Sequence, residues 1–231
     1  YAGVGKSDRE IYDALMLGIE AFNCESLQEI FVINEMAHLH GVKANISVRI
    51  NPDIDAHTHK YVTTGLYENK FGISNHEFDK LIEFIQKSEH INFIGLHFHI
   101  GSQITRVDEV FSLECKRVNE IVKYFESKGL TVRNINLGGG LGVDYDDPDG
   151  NPIADFKTWF NAIDRNIIRR ADQTVHVEPG RSLVAQCASL ISRVLFVKSG
   201  ETKNFLIMDA GMNDLIRPAL YGAYHKIENL S

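Results

Sequence analysis

The stretch VRNINLGGGLG, Val132–Gly142, runs an apolar strand pattern straight into three consecutive glycines. Its place in the order of elements separates two architectures. The chain alternates strand and helix patterns, six strands separated by five helices, which implies a parallel sheet. A doubly wound sheet fits that alternation, and so does most of an eight-stranded (β/α) barrel. A dinucleotide-binding doubly wound sheet carries Gly-x-Gly-x-x-Gly on its first strand-to-helix turn. Here the glycine cluster follows the fifth strand pattern. The other polar candidates also fall at the C-terminal ends of strand patterns, where barrel sites open. The expected fold is therefore α/β, a (β/α)8 barrel with strands missing at the front.

On the N-terminal side, YAGVG ends a strand at a glycine turn, and Ser7 N-caps a helix with Glu10 as its capping-box partner. EAFNCES is a short buried strand. A helix from about Leu27 to Leu39 carries Ile30, Ile33 and Ala37 on its apolar side and stops at Gly41. ISVRI is the next strand, ended by Asn51-Pro52. The polar stretch DIDAHTHKYVTTGLYENKFGI is too long for an idle connector and is expected to be a functional loop. A helix over roughly His76–Lys87, the strand INFIGLHFHIGS and a helix near Asp108–Ser127 lead up to the glycine stretch. Beyond it come the polar loop DYDDPDGNP, a helix over Phe156–Arg169 and the strand TVHVEPGR. After Arg181 the pattern changes to successive strands with a hairpin-like turn at Ser199-Gly200. The expected division is a barrel domain over residues 1–182 and the beginning of a C-terminal β domain over 183–231.

Composition excludes several classes. The net charge is −7 with no basic stripe, so nucleic acid is a poor partner. No apolar run reaches membrane-spanning length. The three cysteines, Cys24, Cys115 and Cys187, show neither metal-ligand spacing nor a disulfide framework, which fits a reducing, cytoplasmic setting.

Four motifs carry chemistry. Gly138, Gly139 and Gly140 let backbone N–H groups approach an anion, a phosphate at such a place in a barrel, or else form a tight turn without a ligand. In GLHFHIGS, His97 and His99 are two apart and share a face, with Leu96 and Phe98 on the other. Two histidines at a barrel mouth suit a metal, an aromatic cofactor, or a hydrogen-bonded core. The neighbouring strand ends are poor in His and Asp, which places the metal reading below the cofactor one. In HVEPGRS, Glu178 sits at a strand end and Pro179-Gly180 force a sharp turn that holds Arg181 beside it. In DAGMNDLIRPALYGAYH, Arg217 and Tyr221 are four apart around Pro218, which argues against a mid-helix position; an Arg and a Tyr there suit a carboxylate substrate.

Taken in order, HFHIGSQ, NLGGGLG, EPGRSLV and DAGMNDLIRPALYGAYH resemble the fold-type-III pyridoxal-phosphate decarboxylases over essentially the whole chain. HIGS, GGG and EPGR are shared with the branches acting on ornithine and arginine. RPALYGAYH and THKYVTTG…NKFGI resemble the diaminopimelate branch. The resemblance implies pyridoxal 5′-phosphate as cofactor and conversion of meso-2,6-diaminopimelate to L-lysine and carbon dioxide, the last step of lysine synthesis, in a cytoplasmic homodimer with shared sites. Alternatives are a sister decarboxylase for ornithine, arginine or carboxynorspermidine, and a non-catalytic cofactor-binding barrel. The implied roles are His99 stacked on the pyridine ring, with Ser102 and the Gly138–Gly140 backbone at the phosphate. Glu178 bonds the pyridine nitrogen. Gly180 and Arg181 lie at the cofactor, Arg181 also at the substrate. Arg217 and Tyr221 contact the substrate carboxylates, and Arg49 reaches the phenolic oxygen. No metal is implied.

The family's Schiff-base lysine lies in Tyr-x-x-Lys-Ala/Ser-Asn on the first barrel strand. The six strands here match the third to eighth, so that lysine is expected to lie outside the chain, as is the proton-donating cysteine. The chain by itself is accordingly expected to be inactive. Lys43, in HGVKANISVRINP, has the motif's letters but precedes its strand. From Ala44 to Ile50 a strand spans about 20 Å at roughly 3.3 Å per residue. Lys43 is thus expected at the bottom of the barrel, out of reach of the mouth.

Overall fold

A computed structural model describes residues 1–52, 54 and 70–230. Most of the expected functional loop, including THKYVTTG, lies outside the described residues. Along the chain, helix α1 (Asp8–Met16) is followed by strand β1 (Phe22–Cys24), α2 (Leu27–Leu39) and β2 (Ala44–Arg49). A single 3-10 turn (Asn75–Glu77) leads into α3 (Phe78–Lys87), β3 (Ile91–His97) and α4 (Val107–Ser127). Then come β4 (Asn134–Asn136), α5 (Phe156–Asn166), β5 (Thr174–His176) and a one-turn helix α6 (Arg181–Val184). An antiparallel pair, β6 (Val194–Ser199) and β7 (Asn204–Met208), precedes α7 (Arg217–Tyr221). No helix among the described residues is long and apolar enough to cross a membrane.

Local signals place these elements well. The capping box at α1 is formed: Ser7 Oγ accepts from Glu10 N–H, and Ser7 N–H donates to Glu10 Oε2 at 2.8 Å. Gly41, at φ +64°, takes the left-handed turn that ends α2. Pro218 lies in the first turn of α7, where its missing N–H costs nothing, as its position outside a helix interior requires.

Strands β1 to β5 form one sheet in sequential order, every neighbour parallel. Such a sheet is covered on both faces, and β2 is buried along nearly its whole length. Ile11, Ile30, Ile33, Leu81, Ile85, Val118 and Phe125 from α1 to α4 join Phe22, Ile46, Val48 and Leu96 of the strands in one core. A second cluster, centred on Phe111, Ile100, Ile104, Leu141 and Trp159, lies between α4 and α5. Strands β6 and β7 form their own two-stranded sheet, with the turn at Gly200 closed by its N–H to Lys203 O at 2.9 Å.

Two expectations change. YAGVG forms no strand; only Tyr1 is bonded alongside β1, its carbonyl accepting from Asn23 N–H at 2.9 Å. Gly3 then turns away at φ +142°. The segment after Arg181 begins as a helix, because Gly180 at φ +54° reverses the chain into α6 before any strand starts. Among the described residues the five parallel strands form an open run in sequential order.

The close pairing of β3 with β4 depends on Gly95, paired with Asn134. A Cβ there would lie 2.0 Å from the Asn134 carbonyl oxygen. Gly95→Ala is therefore expected to lower unfolding free energy by about 3 kcal/mol, measured by chemical denaturation. An unchanged midpoint would show that β3 and β4 are further apart than described.

Candidate functional site

The register of the sheet assembles the site. Arg49 pairs with His97, His97 with Asn136, and Asn136 with His176. Register partners in parallel strands point to the same face, so these four polar residues form a row across the C-terminal ends of β2 to β5. Two residues further along each chain come Asn51, His99, Gly138 and Glu178, a second row above the first. The ladder runs on into this row: Leu137 N–H donates to His176 O at 2.9 Å and Glu178 N–H to Gly138 O at 2.6 Å.

Glu178 is the centre of the second row. Its Oε1 accepts from Asn136 Nδ2 at 2.9 Å and stands 3.6 Å from His97 Nε2, an ion-pair distance but longer than a hydrogen bond. His97 beside it, together with the Asn136 amide, holds the carboxyl at about 2 against the opposing effect of burial. Glu178 is therefore ionised at neutral pH. Asn136 also accepts from Gly138 N–H at 2.9 Å through Oδ1, so one carboxamide ties the carboxylate to the glycine loop. The sequence reading did not single out Asn136. Its one signal was a polar residue ending a strand two positions before the glycines.

His99 and His97 flank the same carboxylate, as their spacing required. His99 Nδ1 accepts from Gly139 N–H at 3.2 Å. Burial first, and then the positive charge of Arg49, lower its pKa to about 4, so the ring is neutral with its proton on Nε2.

The glycine loop is packed between two neighbouring strand ends. A Cβ on Gly138 would lie 2.2 Å from Phe98 O, on Gly139 1.7 Å from Glu178 O, and on Gly140 2.2 Å from Gly101 O. Gly138 and Gly140 also have positive φ, +66° and +103°. Close backbone approach alone thus demands three glycines here.

Arg181 is not beside Glu178. The turn at Gly180 carries it to Gln103, whose Oε1 accepts from Arg181 Nη1 at 3.1 Å, and no ion pair joins Arg181 to Glu178 among the described residues. Gln103, another residue the sequence reading passed over, holds a left-handed backbone at φ +63°. Its carboxamide bonds both Val143 N–H and Val143 O, which fixes that conformation. Ser102 precedes it in the bend, half-buried.

Arg217 lies elsewhere. Its guanidinium packs over the rings of Tyr145 and Tyr221, 5.4 Å from each centroid, and Tyr145 also meets the His225 ring. This joins the RPALYGAYH segment to the polar loop after the glycines, an arrangement reinforced by the Lys226–Asp149 ion pair. No contact links Arg217 to Glu178 among the described residues. Arg49, in the lower row, is buried and ion-paired to Glu25 at 2.6 Å. Lys43 is exposed and immediately precedes β2, at the opposite end of the strand from Arg49.

The family described as "Pyridoxal-dependent decarboxylase, pyridoxal binding domain" matches residues 1–185. Diaminopimelate decarboxylase of Bacteroides thetaiotaomicron is 52% identical over 231 residues, all of this chain and 60% of that protein. The Neisseria meningitidis serogroup A enzyme of the same name is 42% identical, over 99% of this chain and 55% of that protein. Among solved structures, the Helicobacter pylori diaminopimelate decarboxylase complexed with L-lysine superposes with a TM-score of 0.87 at 40% identity, covering 99% of this chain and 56% of that one. The chain thus spans 55 to 60% of the length of these curated relatives.

His99 has a measurable signature. Between its ordinary pKa of about 6.5 and its native value of about 4, the unfolded chain binds a proton that the folded one does not. Stability therefore rises with pH through that window. In His99→Asn, whose Oδ1 still accepts from Gly139 N–H, the rise is expected to shrink by up to one proton's worth. Thermal melts at intervals from pH 4 to 7 measure it, and identical slopes would refute a neutral buried His99.

Proposed function

Because the chain belongs to the pyridoxal-dependent decarboxylase family through its pyridoxal binding domain, we propose that the protein uses pyridoxal 5′-phosphate to decarboxylate meso-2,6-diaminopimelate, yielding L-lysine and carbon dioxide. The observation that carries this reading is Glu178, a carboxylate held ionised by His97 and Asn136 at the strand ends, beside a neutral His99 and a backbone-lined glycine loop. The substrate follows the names of the relatives, the first of them 52% identical over the whole chain.

The residues fit that cofactor. An ionised carboxylate suits a protonated ring nitrogen, a neutral imidazole suits the face of an aromatic ring, and a loop bare of side chains suits a phosphate. When bound, pyridoxal phosphate supplies the electron sink for the carbon–carboxylate bond that breaks. Glu178 holds a proton on the ring nitrogen, because its charge favours the cationic ring. Asn136 and His97 keep Glu178 ionised and fix its direction. His99 covers the ring and shields it from water. Ser102, the loop of Gly138, Gly139 and Gly140 (chiefly through the last of them), Gly180 and Arg181 hold the phosphate, and Arg49 reaches the phenolic oxygen. Arg181, Arg217 and Tyr221 bind the substrate's carboxylates.

In this reading the parallel sheet is part of a (β/α)8 barrel formed by residues 1–182, and residues 183–231 begin a β domain. The protein acts in the cytoplasm as a homodimer with shared sites. Neither of two lysines anchors the cofactor. Lys43 lies at the wrong end of β2. Lys6 lies near the strand ends, but its three N–H groups donate to Gly3 O, Asn23 O and Glu29 Oε1 at 2.8, 2.8 and 2.6 Å. Borohydride reduction of the cofactor-loaded protein, followed by peptide mapping, is expected to leave Lys43 unlabelled; a labelled Lys43 in a protein that turns over would overturn this assignment.

The function is tested on the full-length protein, the form expected to carry the Schiff-base lysine, by lysine and carbon dioxide release from meso-diaminopimelate, with ornithine, arginine and carboxynorspermidine in parallel. Release from diaminopimelate at the highest kcat/KM supports the proposal; preference for another substrate reassigns it. Glu178→Ala is expected to keep cofactor binding and lose roughly a hundredfold or more in kcat. Unchanged turnover would remove Glu178 from the chemistry.

A further inference from the structure

Beneath the proposed cofactor site lies a chain of buried charges that the mechanism above does not use. Lys6, with no exposed side-chain surface, pairs with Glu29 Oε1 at 2.6 Å. The other Glu29 oxygen accepts from Glu25 N–H at 2.7 Å. Glu25 is 3% exposed and directs its own carboxylate to two different elements. Oε1 accepts from Arg49 Nη1, at the end of β2, at 2.6 Å, and Oε2 accepts from Gly72 N–H at 3.0 Å. Each carboxylate in the chain has a separate cation, so two acids sit close together without an unpaired charge.

The contacts around Arg49 leave it little freedom. Its guanidinium lies over the Phe71 ring, 4.8 Å from the centroid. Gly72, at φ +74°, passes so close to β2 that a Cβ would lie 2.9 Å from Asn51 N. Ile73 N–H donates to Arg49 O at 2.8 Å and Asn51 N–H to Ile73 O at 3.1 Å. The segment Phe71–Ile73 is thus laid against the end of β2, and the Glu25 side chain is bonded to both.

We propose that Glu25 is a positioning residue of the site, holding Arg49 at the strand ends with one carboxylate oxygen and the Gly72 N–H with the other. The inference rests on the reading that Arg49 serves pyridoxal phosphate. Glu25 itself touches no cofactor; it acts by fixing the direction of Arg49, and Lys6 and Glu29 fix Glu25 in turn.

A double-mutant cycle on the intact protein tests this, using E25Q, R49M and E25Q/R49M. The dissociation constant of pyridoxal phosphate, read by equilibrium dialysis, is the measured quantity. Gln retains an oxygen for Gly72 N–H, while its NH2 replaces the charged acceptor that holds Arg49. E25Q is expected to weaken binding by about tenfold. R49M is expected to weaken it at least as much, and the double variant no more than R49M alone. E25Q binding as tightly as the unchanged protein, or losses that multiply in the double variant, overturns the proposal. Should E25Q fail to fold with an unpaired buried Arg49, the double variant removes both charges and keeps the fold. R49M against E25Q/R49M then gives the answer: equal constants support the proposal, and a further loss overturns it. Failure of the unchanged protein to bind pyridoxal phosphate overturns the proposed function; tight binding by that protein with no effect of E25Q overturns the role of Glu25 alone.

Discussion

In-register parallel pairing sets Arg49, His97, Asn136 and His176 side by side across the sheet, the first two buried and the others half-buried. Water cannot serve such a row freely, so its members must satisfy one another or be satisfied from the next layer. The architecture of the site follows from that constraint. Glu25 answers Arg49 from the neighbouring strand end, and Glu178 comes down from the layer above to answer Asn136 and to stand near His97. What the row leaves over is also informative. Among the described residues, the ring nitrogens of His97 and Nε2 of His176 are buried without a hydrogen-bond partner. These imidazoles lie under the carboxylate on which the proposed chemistry depends.

The glycine loop takes on a different meaning in this setting. A run of glycines after a strand suggests an anion cradle, with three N–H groups aimed at a phosphate. In the fold, Gly138 N–H is engaged by Asn136 and Gly139 N–H by His99. The glycines are required first because backbone from one or other neighbouring strand end passes within contact distance of each: the β3 end at Gly138 and Gly140, the β5 end at Gly139. Tight packing and anion binding are therefore separate demands on the same residues. The loop meets the first through its missing side chains. For the second it has chiefly Gly140, with Gly180 and Arg181 across the mouth, so the proposed phosphate site draws on two strand ends rather than on one loop.

Legibility in the sequence followed the range of the interaction. The Ser7–Glu10 capping box, the bounds of α2 and the shared face of His97 and His99 depend on residues two to four apart, and each could be read directly. Glu25 and Arg49 are 24 residues apart, and their pairing requires the β1–β2 register, which no local pattern states. Asn136 looked like the polar end of a strand, because its partner Glu178 arrives 42 residues later. Arg181 was misplaced for a conformational reason. Pro179-Gly180 announces a sharp turn, but the sign of φ at Gly180 sets which way the arginine leaves, and composition does not carry that sign. Glu178 and His99 stand out in the sequence because a carboxylate and a paired histidine at strand ends are chemically unusual in themselves.

The buried charges below the site bear on what that part of the fold is for. A buried ion pair contributes little net stability, since desolvation offsets most of the attraction, and apolar residues of similar size often serve as well. Lys6–Glu29 and Glu25–Arg49 are therefore poorly explained as a stabilising device. Geometry explains them better. Apolar contacts tolerate small displacements, whereas a guanidinium bonded to one carboxylate oxygen at 2.6 Å, with the other oxygen fixed on a backbone N–H, has one position. The cost of burying the charges is borne where, on the proposed role of Arg49, its guanidinium is held in a set direction, and this is also where the chain from Phe71 to Ile73 joins the end of β2.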